Sequence, residues 1–379
     1  MSIPTTDYAA NRPIWDDGRW PGLPTLDSDL SADACVIGLG GSGLSAVDEL
    51  LAMGRTVIGI DAVDVAAGAA GRNGGFLLAG TADFHHDAVA ALGRERAVRI
   101  TQLTREEMQR IAAQAPGTVR PTGSLRIAES DEELEDCARQ RDAMRADGFV
   151  VRDYDGPMGR GLAIDGDTAF NPLARCRALA ASLGARGARL FSRTRATTFG
   201  DRAVQTAGGR ISCDKIIVTV DGNLDQLVPE LSQRVRTTRL QMLATAPTHE
   251  VSVPCPVYAR YGFDYWQQLP DGSIALGGGR DKAMDAEWGA SQAPSDFIQN
   301  YLTSVVRDKL KVTAPITHRW AALVSYTTTG LPAVGEVRPG VWAAGGYSGT
   351  GNLMGALAGR TLARAAFGEH TEFGRLVSA

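Results

Sequence analysis

The chain has 379 residues, 44% hydrophobic and 22% charged, which is enough for about two domains of ordinary globular composition. A formal charge of −4, with no block of Lys or Arg, offers no footprint for nucleic acid or an anionic membrane surface. No run approaches the roughly 18 apolar residues of a membrane span, and residues 1–20 lack the basic start and apolar core of a signal peptide. The five cysteines, Cys35, Cys137, Cys176, Cys213 and Cys255, are scattered and never form C-x-x-C. That pattern suits a reducing compartment and supports neither a disulfide frame nor a zinc site. The expectation is a soluble cytoplasmic protein without a metal.

In chain order, a Pro- and Asp-rich lead-in with Trp15 and Trp20 is expected to lie over the first strand. Residues 33–61 then read as strand, glycine turn, helix and strand, a βαβ unit. Three- and four-residue apolar spacing predicts helix over 87–114, a strand is expected within 121–130, and a helix with an acidic first turn over 131–148. Residues 171–192 read as helix then strand, and 202–220 as a hairpin around Gly208-Gly209 that leads into a buried strand. Residues 235–330 are strand-rich and aromatic, and the end returns to an apolar strand, glycines and a helix. This order predicts a nucleotide-binding unit from residues 1–85, 155–222 and 331–379. A second unit, 86–154 and 223–330, is inserted between its pieces and carries the substrate.

The glycines of "VIGLGGSGLSAVDELLAMGRTVIGID" have separate tasks. Gly38 makes the tight turn, Gly40 admits backbone close to a diphosphate, and Gly43 lets helix pack on strand. Asp61 follows the last of them by close to the roughly 20 residues expected of a ribose-binding carboxylate. This motif alone leaves NAD and FAD both open. Two further glycine stretches bear on the choice, "GAAGRNGGFLLAG" at 68–80 and "AAGGYSGTGNLMGALAGR" at 343–360. The first is too glycine-dense for helix or regular strand and lets backbone lie against a flat ring. The second opens a helix and offers amides to an electron-rich group.

With "KIIVTVDGNLDQLVPEL" and "HRWAALVSYTTTGLPAVGEV" these stretches resemble, in order over about residues 33–367, the D-amino-acid-oxidase superfamily. The γ-glutamylputrescine oxidase branch is the most similar. The resemblance implies an α/β fold with an α+β inserted domain: an FAD-binding Rossmann-like domain of the glutathione-reductase type beside a β-sheet-rich substrate domain. It implies FAD, and because no cysteine is placed for covalent attachment the FAD is expected to be non-covalent. Gly38, Gly40, Gly43 and Asp61 would hold the ADP half, and Ala196 would meet the adenine with main chain. Gly71, Arg72, Asn73, Gly74 and Gly75 would pass beside the isoalloxazine, with Gly349, Thr350, Gly351, Asn352 and Leu353 at its N1–C2=O edge. The implied reaction is oxidation of a C–N bond by hydride transfer to flavin N5, with O2 or another electron acceptor, after which the imine hydrolyses.

Several positions depart from the family pattern. Val324 stands where members that grip an amino-acid carboxylate carry an arginine, which points to an amine whose charge lies farther away; Arg260, Arg280 or Arg319 could substitute. No lysine occurs in "YGFDYWQQLPDG", where sarcosine-oxidase-like members carry one that promotes reaction with O2. Val220, Asp221, Thr329 and Thr350 also depart. Tyr347, Tyr265 and Tyr261 are the candidates for substrate contact, with strand packing as the competing reading for the last two. His85 and His86 read as surface or domain-interface residues, since neighbours on a strand face opposite ways. Three functions follow: an amine oxidoreductase; an amino-acid or N-methyl-amino-acid oxidase that uses another arginine; or an FAD-binding protein without amine turnover.

Overall fold

The structure is a computed structural model that describes residues 11–289 and 291–378; the first ten residues of the lead-in lie outside it. The first strand, Leu30–Ile37, becomes fully buried over its second half, as expected of a strand covered on both faces. It pairs in parallel with Arg210–Val218 on one side and Val57–Ile60 on the other. Val57–Ile60 pairs in parallel with Arg189–Phe191, and Val341–Gly345 pairs in parallel with the end of Arg210–Val218. The start of Arg210–Val218 instead pairs antiparallel with Ala203–Gln205, which forms the expected hairpin. The lead-in crosses that hairpin's turn: a Cβ on Gly208 would sit 1.8 Å from the Leu26 carbonyl oxygen.

Helices Gly41–Ala52, Pro172–Ala185 and Met354–Ala366 cover this sheet. Asn171 caps the second of them, its side chain accepting from Ala174 N at 2.9 Å, with Pro172 in the first turn. The first and third approach closely because Gly359 has no side chain; a Cβ there would lie 2.0 Å from the Ser42 carbonyl oxygen.

The second sheet runs in the order 316–327, 235–245, 274–278, 264–268, 257–259, 124–128, 159–164, 152–156. Only Val257–Ala259 and Ser124–Ala128 pair in parallel. Helix Asp131–Ala146 lies against its far end through Cys137 and Met144, and helix Asp296–Ser304 packs elsewhere through Ile298 and Leu302. Ser130 caps the former, accepting from Glu133 N at 3.1 Å. A small third sheet, Phe76–Leu77, Thr168–Phe170 and Val119–Arg120, completes the strands.

Three expectations change. The helix over 87–114 is two, His85–Leu92 and Arg94–Gln114, broken where Gly93 turns to φ +82°. His85 and His86 therefore begin a helix and do not alternate on a strand. The boundary at 154/155 falls inside strand Arg152–Gly156, which pairs with Gly159–Ile164 in the second sheet.

Two helix glycines test the packing in opposite directions. Gly184→Ala meets nothing within 4 Å and is expected to stabilise by about 0.5–1 kcal/mol. Gly359→Ala should destabilise by about 1–3 kcal/mol, the usual range for overpacking, both read from urea-unfolding midpoints.

Candidate functional site

The chemistry-bearing residues gather at the carboxyl ends of the parallel strands. Leu30–Ile37 leads to Gly38, Val57–Ile60 to Asp61, Arg210–Val218 to Asp221, and Val341–Gly345 to Tyr347 and the last glycine loop. Ligands of open parallel sheets bind at that edge, where the turns leave a crevice. A cavity of about 1420 Å³ opens there and is lined from both large sheets.

Gly38 holds φ +100°, and a Cβ there would come 2.9 Å from the Val220 side chain. Its amide donates to Ile60 O at 2.9 Å, and Thr219 Oγ1 donates to its carbonyl at 3.1 Å. Gly40 lines the cavity at the start of helix Gly41–Ala52, which no side chain caps. Asp61 is in the wall as well. Its oxygens accept from Leu39 N at 2.9 Å and Val63 N at 2.8 Å, and burial pushes its carboxyl above the usual range. Gly43 lies behind the wall, where a Cβ would be 1.8 Å from Gly38 O. Ala196 is also outside the wall: its methyl packs on the core cluster around Ile37, and Arg195 lines the cavity in its stead.

Arg72, Asn73 and Gly74 line the cavity, while Gly71 and Gly75 pack behind it. Each carbonyl of 72–75 accepts from a distant side chain: Arg72 O from Trp320 Nε1 (2.8 Å), Asn73 O from Trp15 Nε1 (2.9 Å), and Gly74 O and Gly75 O from Gln267 Nε2 (2.6 and 3.0 Å). The Arg72 side chain is occupied by the carbonyls of Ala67, Asn11 and Ala321. Asn73 and Asn352 exchange amide hydrogen bonds at 3.0 and 3.2 Å, which joins the second glycine stretch to the third.

Gly349, Thr350, Gly351, Asn352 and Leu353 all line the cavity. Tyr347 is buried in the same wall, and its hydroxyl donates to Ser42 Oγ at 2.9 Å, so it braces the last loop against the first. Asp221 supports this loop from below. Its oxygens accept from Gly346 N at 2.8 Å and Ser325 N at 2.9 Å, while burial pushes its carboxyl up to about 6.

An aromatic wall adjoins the second glycine stretch, where a Cβ on Gly74 would lie 3.1 Å from the Tyr265 ring. Tyr258 and Tyr265 are paired across adjacent strands and stacked at 5.8 Å, and Phe76 meets both edge-on at 5.5 and 6.1 Å. Burial raises both phenols, that of Tyr258 to about 12, so they stay neutral. Tyr261 sits at the rim, 45% exposed, its hydroxyl on Asp136 at 2.9 Å.

Of the three substitute arginines, Arg260 is held by Asp264 and Asp281, and Arg319 by Gln299 and Thr303. Arg280 lines the cavity, as does Val324, with its guanidinium 4.5 Å from the Tyr326 ring centre and 5.6 Å from that of Trp288. It pairs with no carboxylate among the described residues.

Sequence reasoning missed the opposite end, where Arg105 and Arg126 line the cavity, stacked on Phe149 and Phe84 at 4.6 Å each. Beside them Asp167 is buried, accepts from Ser124 Oγ at 2.6 Å and has its carboxyl pushed up to about 6. Arg175, also missed, is buried in the wall beside Gly41 with two unpartnered nitrogens. No spacing rule marks these residues, since a lone arginine in a helix or strand ordinarily reads as surface. His85 lines the cavity too, paired with Asp147 at 2.7 Å.

A family model described as FAD dependent oxidoreductase (DAO) matches residues 33–365. The chain belongs to that family. Its cofactor is FAD and it is an oxidoreductase. Among relatives, a probable oxidoreductase OrdL of Rhizobium meliloti is 26% identical, the match covering 93% of this chain and 87% of that protein. Gamma-glutamylputrescine oxidoreductase of Escherichia coli is also 26% identical, covering 97% and 91%. Glycine oxidase from Geobacillus kaustophilus shares the fold at a TM-score of 0.74 and 18% identity, covering 91% of this chain and 96% of that one. L-proline dehydrogenase from P. horikoshii does so at 0.73 and 18%, covering 93% and 96%. The residues present fit the cofactor: side-chain-free glycines leave room along the wall, an uncapped helix start faces the cavity, and a buried arginine there has no anion. Among the described residues no helix is long and apolar enough to cross a membrane, and no group of three His, Cys, Asp or Glu could hold a metal.

Asp221 generates a pH dependence. Its folded value, about 6, lies above the ordinary 3.8, so its contribution to stability is present below the lower value and lost as pH rises through the upper one. Asp221→Asn, which cannot ionise, should gain on the wild type by on the order of 2 kcal/mol between about pH 4 and pH 7. Urea unfolding of the two cofactor-free proteins across that range reads the difference; a constant gap would mean that the carboxyl does not titrate there.

Proposed function

We propose that this chain oxidises a C–N bond of an amine whose charged tail lies away from the reacting carbon. Bound FAD would accept the hydride at N5, and the imine product would then hydrolyse to a carbonyl compound. The observation that carries this reading is the Asn73–Asn352 clasp, which brings two distant glycine loops onto one wall that meets the Tyr258–Tyr265 stack at Gly74. Such a pocket needs no strong base. Its aromatic wall excludes water, favours the uncharged amine and holds its α-hydrogen in place.

In this reading Gly38, Gly40 and Asp61 hold the ADP half, with Gly43 setting the helix-strand contact. Asn73 and Gly74 lie beside the isoalloxazine, and the 349–353 loop offers amides to its N1–C2=O edge. Tyr265 shapes the amine pocket, Tyr347 braces the loop and Tyr261 guards the mouth. FAD is held without a covalent bond, since no cysteine lines the cavity near these loops except Cys176, which is buried with its thiol pushed up. The first sheet and its helices form the nucleotide-binding unit and the second sheet the substrate unit. The final acceptor is O2 or another oxidant; no lysine lines the cavity among the described residues to favour O2.

Val324 leaves no guanidinium at the family's carboxylate position, whereas Arg105 and Arg126 sit at the far end. From strand Ile274–Gly278, which precedes Arg280, to strand Ser124–Ala128, which carries Arg126, is three steps across the sheet, about 14 Å. That distance suits a tail with a carboxylate. Arg280 favours a second reading, an amino acid whose carboxylate adjoins the reacting carbon.

Anaerobic mixing of the yellow protein with amines separates the readings. Under the first, ω-carboxylated amines bleach the flavin, and Arg126→Gln weakens their binding about tenfold or more while Arg280→Gln does little. Under the second, α-amino or N-methyl-α-amino acids bleach it and Arg280 is the sensitive position. No bleaching by any amine, in protein that dithionite still reduces, would leave an FAD-binding protein without amine turnover.

A further inference from the structure

Arg175 stands in the first turn of helix Pro172–Ala185, with 3% of its surface exposed. Its Nε and Nη2 have no hydrogen-bond partner, and Nη1 reaches only Cys176 Sγ, at 3.8 Å. A guanidinium keeps its charge in a protein, and a buried charge without a hydrogen-bonded counter-ion is among the costliest features a fold can carry. The carboxylate within electrostatic reach is Glu107, and it is already shared by Arg360 at 3.3 Å and Arg110 at 3.5 Å. The neighbouring acids Asp48 and Glu49 are likewise taken, by Arg186, Arg360 and Arg364.

The orphan guanidinium faces the cavity at one place. Its Nη1 lies 3.3 Å from the point a Cβ on Gly41 would occupy, at the first residue of the uncapped helix Gly41–Ala52. Gly40, Gly41 and Ser42 line the cavity with it. A positive helix end and the Nη1 edge of a buried cation thus border the same volume.

We propose that Arg175 is the charge partner of the FAD diphosphate, donating from its Nη1 edge to a phosphate oxygen while the helix amides bind the same group. The inference rests on FAD as the cofactor and adds a residue outside the glycine motif. It has a consequence that a purely structural arginine would not have. Without cofactor the chain holds an uncompensated buried cation, so Arg175 opposes stability of the empty protein and supports the loaded one. Loading with FAD and stability are thereby coupled through one side chain.

The test uses full-length protein stripped of flavin. Arg175→Met keeps the apolar stem and removes the charge. FAD dissociation constants are read from quenching of flavin fluorescence at several salt concentrations, and thermal midpoints are measured without cofactor. The expected result is FAD affinity lower by about tenfold or more, a flatter salt dependence, and an unfolding midpoint without FAD equal to or above the wild type's. Unchanged FAD affinity overturns the proposal, as does an empty variant less stable than the empty wild type. Arg175→Lys gives a second reading should the methionine variant not fold: it retains charge without the guanidinium, and should bind FAD more weakly than wild type with the wild-type salt slope. Lysine binding FAD as tightly as arginine would rule out a specific guanidinium contact. Wild type that takes up no FAD at any salt would instead refute the cofactor reading on which the proposal stands.

Discussion

The site depends on how a glycine-rich loop satisfies its carbonyl groups. Residues 72–75 are neither helix nor regular ladder, yet they run through the interior, where an unpaired carbonyl is costly. Trp320, Trp15 and Gln267 each meet one or two of these oxygens. These donors come from the long strand of the second sheet, from the lead-in and from a central strand, so the loop is correct only when all three have arrived. The Asn73–Asn352 pair then carries the same constraint to the far end of the chain. The geometry of this loop is a tertiary property resting on indole and amide donors.

Buried carboxylates serve a related purpose. Asp61 and Asp221 follow strands on either side of Leu30–Ile37; Asp61 accepts from two turn amides, and Asp221 from the amide after Val341–Gly345 and from Ser325 in the second sheet. Both are held above the ordinary carboxylate range by burial, the amides offsetting only part of that cost. Asp167 repeats the arrangement at the substrate end, with Ser124 and Ala79 as donors and two guanidinium groups nearby. The cavity is therefore bounded by carboxylates turned toward backbone amides and hydroxyls and by arginines in its wall. Arg105, Arg126, Arg175 and Arg280 all face it without a hydrogen-bonded carboxylate.

Where the reading from sequence was corrected, the cause lies in contacts between distant segments. The polar strand Arg152–Gly156 has no alternating apolar pattern; it exists because Gly159–Ile164 presents a free edge to it. That hairpin carries the second sheet beyond residue 154. Gly93 sits inside an apolar period that continues on both sides, and only its positive φ reveals the break between two helices. Tyr261 and Tyr265 are close neighbours in sequence, but the turn between their positions leaves one on the rim and the other in the wall.

The sequence by itself determined the strand–turn–helix start, the three glycine stretches, the helix caps and the hairpin. Each depends on what one residue's backbone or side chain can do within a few positions: glycine at positive φ, Ser130 and Asn171 as caps, Pro172 in a first turn. It determined the cofactor class as well, because FAD needs glycines in several places and their order survives in the chain. Only the tertiary structure decided which polar groups face the cavity. An arginine's stem is long enough to pair at the surface, stack on a ring or point inward, and local sequence does not choose among these. Arg260 found carboxylates and Arg319 found Gln299 and Thr303, Arg280 stacked on rings, and Arg175 was buried with no hydrogen-bonded carboxylate. That selection follows from where the carboxylates of other segments come to rest.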